Sequence, residues 1–144
     1  MLYQRIMVTV DGSNTSIVAL KEAIQLAKDQ KAKLRIIHVV EDMYEGDTDR
    51  DMLIAVRKAE GQKILNEMKE IARQSNVDFE THLAGFTSSG RVSEQIVAEA
   101  KAWHADLIVI GTHGRHGFSH ILLGSVAEGV IRLATTPVLL IRSK

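Results

Sequence analysis

The chain has 144 residues, 45% of them hydrophobic and 25% charged, which suits one soluble globular domain rather than a disordered segment. Lys and Arg together number 18 and so do Asp and Glu, so no basic excess exists to drive general binding to a nucleic-acid backbone. The absence of cysteine excludes disulfides, thiol nucleophiles, iron–sulfur clusters and the usual zinc frameworks, and it fits a reducing, cytoplasmic setting.

The first apolar run, Ile6–Val10, is interrupted by Asp11 too early for a signal-peptide core, and it predicts a first strand. Ile17, Leu20, Ile24 and Ala27 then recur at spacings of three and four, the stripe of a helix. Leu34–Val40 predicts strand two. Glu41–Arg50 is acidic, contains Gly46 and reads as a connection. A helix over Asp51–Ser75 turns Ile64, Leu65, Met68 and Ile71 inward. Strand three is expected over Asp78–Gly85, followed by a helix with Val92, Ile96, Ala100 and Trp103 on its apolar face. Strand four is expected over Asp106–Gly111, followed by a helix carrying Leu123, Val126, Val130 and Ala134. Strand five, Pro137–Arg142, closes the series with the chain's single proline at its start, where a missing N–H matters least. No apolar stretch approaches the ~20 residues that cross a bilayer, so no membrane insertion is expected.

Regular alternation of strand and helix implies an α/β fold, an open five-stranded parallel sheet with helices on both faces, in one domain over residues 1–144. Strands one, two and four are almost wholly apolar, as interior strands are. Strand three alternates Val77, Phe79, Thr81 and Leu83 with Asp78, Glu80 and His82, as a half-exposed edge does. The order 3-2-1-4-5 puts that strand at an edge, whereas 2-1-3-4-5 would bury it, and the first order is preferred. Strand five then forms the other edge. Its residues Val138, Leu139, Leu140 and Ile141 are all apolar, and a homodimer through strand five would cover them. The alternative is a strand covered on both faces with only its backbone edge bare.

In such a sheet ligands sit beyond the carboxyl ends of the strands, where the strand order reverses, here between strands one and four. The polar segments that follow those strands are Asp11-Gly12-Ser13-Asn14 and Gly111-Thr112-His113-Gly114-Arg115-His116-Gly117. Three glycines in the second let backbone approach a ligand closely, and successive N–H groups can cradle an anion. Gly124-Ser125 then opens the last helix, whose N-terminus favours phosphate. The spacing is neither a Walker A loop nor the dinucleotide glycine fingerprint. Ser125-x-x-Glu128 also reads as a capping box, which would make Ser125 a simple helix cap. Asp11 suits ribose hydroxyls or a base amino group, or else it caps the first helix with Ser13 or Asn14. His113, His116 and His120 have spacings that three zinc or nickel ligands could use, but Gly114 breaks any helical face between the first two, and no metal is expected. His38 is expected as a hydrogen-bonded core histidine, His82 and His104 as surface residues, and Trp103 as core.

Asp106-Leu-Ile-Val-Ile-Gly-Thr-His-Gly-Arg, Leu122-Leu-Gly-Ser-Val-Ala-Glu and Thr136-Pro-Val-Leu-Leu-Ile together resemble the universal stress protein family. Arg5-Ile-Met-Val-Thr-Val-Asp-Gly-Ser and Ile37-His-Val-Val extend the resemblance over the whole chain. It implies an α/β fold of order 3-2-1-4-5 and usually a homodimer through strand five. ATP-binding members share a pattern that is complete here as Gly111-x2-Gly114-x9-Gly124-Ser125. By that likeness Thr9, Val10 and Asp11 approach ribose and adenine, and Val39 holds adenine through its backbone. Gly111, Thr112, His113, Gly114, Arg115, His116 and Gly117, with Gly124, Ser125, Val126 and Ala127, hold the phosphates. Mg²⁺ is a candidate counterion. Thr9 stands where many members carry proline. The function so implied is an ATP-binding, nucleotide-responsive regulatory module for stress resistance, read by a protein partner. Two alternatives compete with it. One is a slow ATPase or self-phosphorylating enzyme, although the chain has no Walker A lysine and no obvious base beside a nucleophile. The other is a nucleotide-free dimeric interaction protein, which the complete glycine pattern argues against.

Overall fold

A computed structural model describes residues 2–41, 49–85, 90–113 and 123–143. Nine elements alternate along them: β1 (Arg5–Thr9), α1 (Asn14–Gln30), β2 (Lys33–Val39), α2 (Arg50–Arg73), β3 (Phe79–Ala84), α3 (Val92–Trp103), β4 (Leu107–Gly111), α4 (Ser125–Leu133) and β5 (Val138–Ile141). The strands form one parallel sheet in the order β3-β2-β1-β4-β5, as expected. Register is set by pairs such as Val8 with Ile36 on one side and with Val109 on the other.

Strand parity divides the core in two. Ile6, Val8, Leu34, Ile36, Leu107 and Val109 face α1 and α2. Met7, Ile37, Val39, Ile108 and Ile110 face α3 and α4. Both faces of the interior strands are covered and take apolar residues over most of their length, with Lys33, Arg35 and His38 the polar positions of β2. In β3 only Ala84 is buried, which matches its alternating sequence at the edge. At that edge Trp103 of α3 is 7% exposed. Its Nε1 donates to Glu80 Oε1 at 2.8 Å, and the Arg5 guanidinium lies 4.2 Å from its ring centroid. Trp103 is thus core, as expected, with its one polar atom satisfied. His104 is exposed and ends α3 in the left-handed region, while His82 reaches Glu99 at 3.4 Å.

Element ends differ from the expectations in a few places. α2 stops at Arg73, two residues short of Ser75, in a turn over 74–76. Leu123 and Ala134 flank α4 rather than lie in it, and both still pack against the α3–α4 core. Pro137 sits just before β5, and its carbonyl accepts from Ile108 N–H at 2.9 Å.

α2 is the outsized element. Its 24 residues span about 36 Å, against about 23 Å for the 7 residues of β2 that it packs on. Burial in α2 begins only at Gly61, so residues 51–60 overhang the carboxyl end of the sheet. Gly61 is where the helix meets the sheet most closely: a Cβ there would lie 2.8 Å from His38 Cδ2 and 2.9 Å from Leu83 Cδ1. A glycine inside a helix costs about 1 kcal/mol relative to alanine, and this close approach accounts for it. Among the described residues, no helix is long and apolar enough to cross a membrane.

Candidate functional site

β1 and β4 are neighbours whose outgoing connections lead to helices on opposite faces, α1 and α4. The sheet opens between them, and a cavity of about 660 Å³ lies at their carboxyl ends. Thr9, Val10 and Asp11 from the end of β1 line it, as does Val39 from the end of β2. Gly111, Thr112 and His113 line it from β4, and Gly124, Ser125, Val126 and Ala127 from the start of α4. Every predicted site residue that is described therefore borders one space. Gly114, Arg115, His116 and Gly117 lie outside the described residues, as does His120. The three-histidine spacing is thus represented by His113 alone, and among the described residues no cluster of metal-ligating side chains occurs.

Local chemistry explains the shape of each segment. Asp11 Oδ1 accepts from Ser13 N–H at 2.9 Å, and Ser13 Oγ accepts from Ser16 N–H at 3.2 Å. Ser13, not Asp11 or Asn14, is the cap of α1, and Asp11 shapes the turn that leads to it. Thr112 N–H donates to Ile141 O at 2.9 Å, which ties the exit of β4 to β5. Thr112 O in turn accepts from Gly124 N–H at 2.7 Å, which brings the start of α4 back to the same point. His113 Nδ1 lies 3.1 Å from Thr112 Oγ1. Its Nε2 is buried without a partner among the described residues.

The start of α4 departs from the capping-box reading. Gly124 is the N-cap, in extended backbone, and no side chain caps the helix. Ser125 is the first helical residue and is exposed. Glu128 pairs along the helix with Arg132 at 3.7 Å, so it does not reach back to the cap. The physical reason is positional: the bond from Gly124 to Thr112 places the N-cap one residue before the serine, which becomes the first residue of the helix. The leading N–H groups of α4, on Ser125, Val126 and Ala127, thus lack helical acceptors where those residues border the cavity. They and the helix dipole favour an anion there.

The outer wall was not anticipated. Leu53, Val56, Arg57 and Glu60 of α2 line the cavity from the overhanging half of that helix, and Gly61 and Ile64 from the start of its buried half. Their spacing of three and one continues the helical stripe ahead of the buried stretch, which was the available signal. Arg57 Nη1 donates to Glu41 O at 3.1 Å and anchors this wall to the end of β2. Val92 and Ile96 of α3 form the opposite side. His38 also borders the cavity. It is half-buried rather than core, with Nδ1 2.7 Å from Val10 O.

Comparison with known proteins agrees with this architecture. The model of the universal stress protein family matches residues 2–142. A universal stress protein of Methanocaldococcus jannaschii is 37% identical, over 98% of this chain and 83% of its own. The structure of universal stress protein UspA from Lactobacillus plantarum superposes with a TM-score of 0.86, at 26% identity and 99% coverage of both chains. Two further family structures were solved with nucleotides. One, in complex with cAMP, has a TM-score of 0.74 at 29% identity and covers 100% of both chains. The other, from Archaeoglobus fulgidus in complex with dAMP, has a TM-score of 0.71 at 27% identity and covers 98% of this chain and 99% of its own. This chain belongs to the universal stress protein family.

Proposed function

We propose that this member of the family is a single-domain, cytoplasmic adenine-nucleotide-binding module, that ATP is its ligand, and that a regulatory protein partner reads the bound state. The observation that carries the proposal is the uncapped start of α4 beside a polar strand exit, at one end of a cavity large enough for a nucleotide. Ser125, Val126 and Ala127 would meet phosphate with backbone N–H groups, helped by Gly111, Thr112 and His113. Mg²⁺ would serve as counterion. Asp11 would take ribose hydroxyls, and the Val39 backbone would hold the base. The family structures with cAMP and dAMP support an adenine ligand.

The chemistry at this site is binding. A ligand held only by the folded state stabilises it by mass action, and it biases whichever arrangement of α2 and α4 closes on it. Mass spectrometry of freshly denatured protein, followed by ATP titration calorimetry, tests the proposal. About one adenine nucleotide per chain, or a saturable heat of that stoichiometry, is the expected result. No nucleotide and no heat overturn it.

The same reading makes the chain a homodimer through β5. Leu139 is 38% exposed there, while Leu140 packs into the α3–α4 core. Leu139→Lys leaves the core intact and is expected to sediment as a monomer. A dimeric variant would place the interface elsewhere.

A further inference from the structure

α2 is built from two unlike halves. From Gly61 onward it is fixed to the sheet by the buried side chains of Ile64, Leu65, Met68 and Ala72. Among residues 51–60 no side chain is buried, and Met52 and Val56 are 66% and 49% exposed. Asp49 Oδ1 caps this half by accepting from Asp51 and Met52 N–H, at an exposed position where water competes. Arg57 Nη1 donates to Glu41 O, also at an exposed position. Once a helix has formed, lengthening it by one residue is close to neutral in free energy. Gly61 stands at the junction and opposes that lengthening, because glycine has the most backbone freedom to lose. The first half of α2 therefore has little of its own to keep it helical. What it has is a face on the cavity: Leu53, Val56, Arg57 and Glu60 border the same space as Asp11, Thr112 and Ser125.

A ligand that fills this space meets those four side chains together only when residues 50–60 are helical. That difference in contact is what allows a ligand to shift a helix–coil balance. We infer that residues 50–60 form a ligand-ordered strap, which frays back to Gly61 in the free protein and becomes helical over an occupied cavity. The inference rests on the nucleotide reading above and adds the element through which occupancy changes the molecule's surface. The half beyond Gly61 stays helical in both states, because its buried side chains hold it whatever the cavity contains.

Hydrogen–deuterium exchange of the full chain, with and without ATP, tests this. Without ATP, amides 54–60 are expected to exchange at least about tenfold faster than amides 64–72, and saturating ATP slows the first set at least about tenfold. Ala55→Gly and Ala59→Gly supply a thermodynamic arm, read by titration calorimetry and thermal denaturation. Both alanines are exposed and neither borders the cavity, so neither change removes a ligand contact. Each change opposes the helix. If helix formation is part of binding, each weakens ATP about fivefold. The melting temperature of the ATP-free chain then stays within about 1 °C of wild type. A preformed wall predicts the reverse: affinity holds and the melting temperature falls. That result, or amides 54–60 as protected without ATP as amides 64–72, overturns the inference and leaves nucleotide binding standing. Fast exchange of amides 54–60 at saturating ATP also overturns it, since the nucleotide is then held without the strap. Failure of the wild-type chain to bind ATP overturns the nucleotide reading and this inference with it.

Discussion

Gly85→Ala is expected to lower the melting temperature by about 10 °C. Gly85 follows β3 with φ at +101°, a conformation that side chains disfavour. A Cβ there would also lie 2.5 Å from Val40 O and 2.9 Å from Val40 N. Those atoms are backbone, and Val40 N–H already donates to Ala84 O at 2.9 Å, so neither side can yield without breaking the end of the β2–β3 ladder. Strain and the lost bond together cost about 3 kcal/mol. Thermal denaturation followed by circular dichroism measures it. A drop under about 3 °C would mean that the turn after β3 rearranges freely. Because Val40 lines the cavity, the variant is also expected to weaken the proposed nucleotide binding at temperatures where it remains folded.

Ser125→Asp separates binding from stability by moving them in opposite directions. Ser125 is exposed, and an acid at the first helical position of α4 interacts favourably with the helix dipole, worth about 0.3–1 kcal/mol. The melting temperature holds or rises by roughly 1–3 °C. The same carboxylate stands beside the N–H groups proposed to hold phosphate. Two like charges a few ångströms apart repel by a few kcal/mol at a partly exposed site, so ATP affinity falls at least about tenfold. Added salt narrows the gap by screening. Ser125→Asn, with no charge, stays near wild-type affinity. Titration calorimetry of the three proteins decides the matter, and unchanged affinity in Ser125→Asp would put the phosphates elsewhere.

The strand order was legible because burial leaves a direct mark on composition. β1 and β4 are covered on both faces and read as unbroken apolar runs, while β3 alternates because one edge is bare. The residues at the carboxyl ends of β1 and β4 were legible for a related reason: a polar residue after an apolar run marks where a strand leaves the core, whereas Val39 at the end of β2 came only from the family resemblance. Three features were not. Ser-x-x-Glu fits a capping box in any register, and only the tertiary bond between Gly124 and Thr112 places the N-cap of α4 one residue earlier. His38 sits among apolar neighbours in sequence, but strand parity turns it toward α2 at the mouth of the cavity rather than into the core. The α2 wall depends on how far that helix overshoots the sheet, a distance set by packing at Gly61 that no local pattern encodes.

The overshoot of α2 has a consequence for how such a chain changes over time. Residues 51–60 of α2 hold no buried side chain, so Leu53, Val56, Arg57 and Glu60 contribute to the shape of the cavity while carrying little of the fold's stability. Substitutions there change which molecule fits without threatening the molecule that holds it. Ile64, Leu65 and Met68, one or two turns further along the same helix, have no such freedom. One helix thus combines an adaptable half and an invariant half. Ligand preference can drift along the first while the second keeps the sheet covered.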